Sequence, residues 1–140
     1  MNSQLFSDIN WLAVLVAAIV YFLLGAVWYS KALFGSKWAA LVGINMNDPE
    51  KGKGMAGMMI GSFLLILITC VAIALLVYRL DLFVLTSGIK LGLITGVCFA
   101  TTAVSISFIY ESRPTGIYFI ACGYHVIGHL AAAIIIVLWK

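Results

Sequence analysis

Charge is what this sequence has least of. Asp, Glu, Lys and Arg make up 9 % of its 140 residues, against about 25 % in soluble globular chains. Too few charges are available to clothe a water-exposed surface, so an ordinary soluble domain is excluded. Eight basic and five acidic residues leave a net charge of +3. They are too scattered to form a face for nucleic acid. Cysteine is scarce as well. Cys70, Cys98 and Cys122 all fall inside apolar runs, an odd set that makes no disulfide framework and reads as packing residues. HExxH, CxxC and CxxCH motifs are missing, as are a glycine-rich phosphate loop joined to a strand and a helical carboxylate pair. Without them no enzymatic chemistry and no cofactor is expected. The leader Met1 to Asp8 has no Lys or Arg, so the first apolar run is expected to be a retained span and not a cleaved signal.

What the sequence has instead is apolar length. Hydrophobic residues reach 64 %. Residues 9–30, 54–78, 91–110 and 114–139 carry no charge at all and cover two thirds of the chain. One helical crossing of a bilayer takes roughly 20 apolar residues. Backbone polar groups in lipid must also be paired within each segment, so helices are expected and not strands. The predicted fold is therefore an all-α, integral membrane four-helix bundle forming one domain. Its helices span about residues 10–29, 55–78, 87–110 and 115–139. Between the first two, Leu33, Phe34, Trp38, Leu41 and Val42 share a face, which predicts a short amphipathic interfacial helix over about 31–42. Residues 45–53, with Pro49 and Gly52, form a polar turn.

Basic residues in short loops set orientation. Lys31, Lys37, Lys51, Lys53 and Arg113 lie on one side of this arrangement, and Arg79, Lys90 and Lys140 on the other. Five against three predicts that both termini are outside, periplasmic in a bacterial cell.

Small residues recur at helical spacing. Gly88, Gly92, Gly96 and Ala100 form a ladder on the third helix, and Gly57 and Gly61 a shorter one on the second. Such ladders let helices approach closely in lipid, either within the chain or in a homo-oligomer or complex with another membrane protein. On the fourth helix Tyr118, Cys122, His125 and His129 share a face, at steps of four, three and four. The third helix offers Thr95, Cys98, Thr102 and Ser105 at matching depth. Three readings of the histidines compete. They hydrogen-bond across the helix three–four hairpin, they line a polar path or small-molecule pocket, or they ligate a metal or haem. The last lacks a third strong ligand, since Cys122 and His129 stand about 10 Å apart along the axis. Two histidines on one helical face also cannot clamp both sides of one haem. The leading expectation is binding or passage of a small molecule or ion along the stripe between helices three and four. A non-catalytic partner subunit joined through the glycine ladders is the alternative.

The pattern Asn10–Trp11, Gly25, Trp28–Tyr29–Ser30, Phe34–Gly35, Trp38 and Gly43 resembles a family of small bacterial membrane proteins catalogued as domain of unknown function 1761. The glycine-rich start of helix two and Gly123–Tyr124–His125 of helix four extend the resemblance. It implies four membrane helices in a bacterial inner membrane, and supplies no activity, cofactor or catalytic residue.

Overall fold

The computed structural model describes residues 3–46 and 54–139. Among them the regular elements are all helical: α1 (Ser3–Asp8), α2 (Trp11–Trp28), α3 (Gly35–Val42), α4 (Met55–Arg79), α5 (Leu85–Leu93), a π-helical segment (Ile94–Thr101), α6 (Thr102–Tyr110) and α7 (Thr115–Leu138). The π segment continues α5 into α6, so that Leu85–Tyr110 is one span of 26 residues. Together with α2, α4 and α7 it makes four helices long and apolar enough to cross a bilayer. Pro49, Lys51, Gly52 and Lys53 of the polar turn lie outside the described residues, as does Lys140.

Local chemistry explains where the helices begin. The Asn10 side chain accepts a hydrogen bond from the Ala13 amide at 3.1 Å, capping α2 by satisfying an amide the helix leaves free. The Asn10 amide donates to the Tyr78 hydroxyl at 3.0 Å, and its side-chain nitrogen to the Trp139 carbonyl at 3.4 Å. The start of α2 and the ends of α4 and α7 therefore meet at one end of the bundle, as an even number of crossings requires.

The expected interfacial helix is shorter than residues 31–42, because turns occupy residues 31–34. Two bonds close this corner: the Phe34 amide donates to the Trp28 carbonyl at 3.0 Å and the Gly35 amide to the Ser30 carbonyl at 2.9 Å. A Cβ on Gly35 would strike the Tyr29 and Ser30 carbonyls, so only glycine starts α3 here. The helix ends at Gly43, whose φ of 71° is left-handed, the usual glycine stop. Its apolar side is turned onto the bundle: Ala39 is buried, Trp38 meets Tyr29 edge-on at 5.7 Å, and Leu41 covers Gly116.

α7 is the central helix, touching α2, α3, α4, α5, the π segment and α6. The third span rests on it through the predicted ladder. A Cβ on Gly88 would lie 3.2 Å from the Val137 Cβ, one on Gly92 2.6 Å from the Leu130 Cα, and one on Gly96 2.9 Å from the Val126 Cα. The ladder is thus intrachain packing, antiparallel and backbone to backbone. Gly57 and Gly61 behave differently. A Cβ on either would meet nothing within 4 Å, so of the two expected uses of a ladder these glycines do not make the one within the chain. The buried residues of α4, Cys70, Ile73, Ala74 and Val77, all lie in its second half. Residues 55–60 at its start are exposed, and contact begins where Phe63 meets Phe22 edge-on at 5.6 Å.

Candidate functional site

α2 and α7 interlock through three aromatic rings seated on glycines. Tyr21 occupies the space a side chain at Gly128 would need, Trp28 lies over Gly123, and Tyr124 of α7 lies over Gly25. The Trp28 indole nitrogen donates to the Ile120 carbonyl at 2.9 Å, fixing the rotation of one helix against the other. This carries Tyr21 to the histidines. Its hydroxyl lies 3.0 Å from His125 Nδ1 and 3.1 Å from His129 Nδ1. His129 Nδ1 also lies 2.8 Å from the His125 carbonyl.

One assignment of the protons satisfies these three distances. Nitrogen and a carbonyl oxygen at 2.8 Å repel unless the nitrogen carries hydrogen, so His129 Nδ1–H donates to the His125 carbonyl. The Tyr21 O–H then has one acceptor left, His125 Nδ1. This assignment takes both imidazoles as neutral. His125 consequently carries its hydrogen on Nε2, and His129 has a bare lone pair there. Neither Nε2 has a partner among the described residues, and neither is sealed from the outside, since Thr101 Oγ1 is the sole buried, unpartnered side-chain nitrogen or oxygen among them.

Both Nε2 atoms belong to side chains lining a groove. Three adjoining cavities lie along α4: the first between α2, α4 and α7, the other two between α4 and the third span, which do not pack closely on each other. The first, about 430 Å³, is walled by Phe22, Met55, Met58, Met59, Tyr124 and His125. The second, about 340 Å³, has Tyr21, His125 and His129 on one side and Leu65 and Phe99 on the other. The third, also about 340 Å³, joins His129 to Thr69, Thr95 and Phe99. His125 is shared by the first two and His129 by the last two. No charged side chain among the described residues lines any of them. Leu65, Ile68 and Phe99 are each more than 60 % exposed, so these walls of the groove open toward the acyl chains.

The expected stripe between helices three and four is only partly assembled. His129 is buried and Thr95 lies level with it, but the Thr95 hydroxyl donates to the Leu91 carbonyl of its own helix at 2.8 Å. The exposed Thr102 likewise turns back to the Cys98 carbonyl at 2.7 Å. Cys98 is exposed. Ser105 reaches Cys122 at 3.5 Å, and Tyr118 packs on Phe108 at 5.3 Å; none of these four lines the histidine groove. The π segment is the physical reason. Its wider turn carries Thr102 off the face that a regular helical period predicts, while Ser105 still meets Cys122 across the hairpin. The partner missed from sequence is Tyr21, and the available signal was a tyrosine near mid-helix in an otherwise apolar α2. The described residues bring no three His, Cys, Asp or Glu side chains together.

Four apolar spans, three of them packed around the fourth, define a small multi-pass membrane protein. Residues 12–137 match the family described as Protein of unknown function (DUF1761), and the chain belongs to it. No curated protein and no solved structure matches it. The structure also gives the shared first-helix pattern a purpose: Asn10 caps α2, Gly25 and Trp28 join it to α7, and Gly35 turns the corner.

Proposed function

We propose that this protein binds a small molecule within the bilayer, without catalysing a reaction on it, at the groove over Tyr21, His125 and His129. The observation that carries this reading is a pair of imidazoles lining one groove, whose Nε2 atoms have no partner among the described residues. An unsatisfied polar group at membrane depth costs several kcal/mol, and a ligand that pairs with both would recover it. The protein would sit in a bacterial inner membrane with both termini outside, by the distribution of basic residues.

Native mass spectrometry of the chain extracted in mild detergent tests this. A discrete added mass is expected on the wild-type protein and not on the His125→Leu/His129→Leu double variant of equal helicity. A wild-type chain that never carries such a mass would defeat the reading.

A second reading rests on α4. Gly57 and Gly61 are unused inside the chain, and Met58, Ile60 and Leu64 beside them are exposed. This face suits close approach of a second membrane helix, from another copy or another protein. Cysteine crosslinking from Gly57→Cys in membranes would trap a dimer or a heavier adduct if it does, and only monomer if the face meets lipid alone.

A further inference from the structure

The tautomers and the walls of the groove narrow the class of ligand, an inference that rests on the binding reading above. At the floor, His125, held by Tyr21, presents an N–H, and His129, held by the His125 carbonyl, a lone pair. The ring centroids are 6.4 Å apart, so one small polar head can reach both. Such a head must accept one hydrogen bond and donate another. It must also be neutral, because none of the described lining residues offers a counter-charge and an unpaired charge at this depth is costly. Above the floor, Met58, Met59, Leu65 and Phe22 line an apolar channel, whose volume suits an alkyl chain and whose flexible methionines adapt to varied shapes. Access is lateral, between α4 and the π segment, where the exposed Leu65 and Phe99 stand on opposite walls. We propose that the ligand is an uncharged single-chain amphiphile entering sideways from the lipid, its hydroxyl-type head accepting from His125 and donating to His129.

Water can also satisfy both nitrogens, so the test turns on the ligand's head and tail together. The full chain in detergent is labelled with a 16-carbon primary alcohol carrying a diazirine in its chain, and the labelled residues are mapped. Label is expected on Leu65, Ile66 or Phe99. Hexadecan-1-ol should displace it. Its methyl ether, which accepts but cannot donate, should compete about tenfold less well, the worth of roughly one hydrogen bond. Ionised hexadecanoate at pH 8 and hexadecane should not compete. Equal competition by alcohol and ether overturns the assignment of the head and leaves binding in the groove standing. Groove labelling by a headless alkyl diazirine that the alcohol cannot displace has the same meaning. Label confined to outward residues such as Leu12 and Leu23 overturns both this inference and the binding reading.

Discussion

The ring of Tyr21 fills the place of a side chain at Gly128. The Tyr21 ring is thereby held closer to the α7 backbone than an alanine at that position would allow. Its hydroxyl lands between the two imidazoles, so the geometry of the site depends on a missing Cβ. Gly128→Ala is expected to lower stability by about 1–3 kcal/mol through overpacking. It should also reduce any ligand retention, because the phenol must withdraw. Thermal unfolding in detergent, followed by circular dichroism, checks the first effect. An unchanged transition would mean that the two helices part without cost.

The two glycine ladders should respond oppositely to bulk. Gly92→Leu places a side chain against the Leu130 backbone and is expected to cost several kcal/mol or prevent folding, since backbone atoms cannot move aside as a rotamer can. Gly57→Leu enters open space and should leave monomer stability within about 0.5 kcal/mol. Comparing the two unfolding transitions settles the contrast. Similar losses in both would place Gly57 against a neighbour.

Thr101 supplies a test with the opposite sign. Thr69, Thr95 and Thr102 each bond a carbonyl three or four residues back, but the Thr101 hydroxyl, in the last turn of the π segment, is buried without a partner. Such an orphan costs about 1–3 kcal/mol, so Thr101→Val, which keeps the shape, should hold or raise the unfolding temperature. A clear drop would mean that the hydroxyl is paired, by water or ligand.

Orientation has its own measurement. Ser7 and Glu111 are exposed residues at opposite ends of the bundle. With both termini outside, a Ser7→Cys variant should react with a membrane-impermeant maleimide in intact cells, and Glu111→Cys only after lysis. Losing the exposed Glu111–Arg113 pair, 2.8 Å apart, should cost under about 1 kcal/mol. The reverse labelling pattern would invert the topology.

Much of this architecture is written in one dimension. Hydropathy over charge-free windows is a local property, and the bilayer demands paired backbone in every crossing; the four spans therefore follow from the chain alone, with ends close to those observed. The cap at Asn10 and the ladder Gly88–Gly92–Gly96 are equally local, because both depend on spacing along one helix. Their partners are not local. Whether a glycine stripe meets another helix depends on where that helix lies, which is why Gly92 packs on Leu130 while Gly57 meets nothing. The histidine face was legible as a face, but its bond to Tyr21 joins residues 104 and 108 positions apart, through a rotation set by rings resting on Gly123 and Gly128. The π segment, invisible to a regular helical period, moved Thr102 off the expected stripe. Periodicity along the chain determined what each helix could offer. Only close packing of one helix on another decided which offers were met, and left two imidazole nitrogens open to the groove.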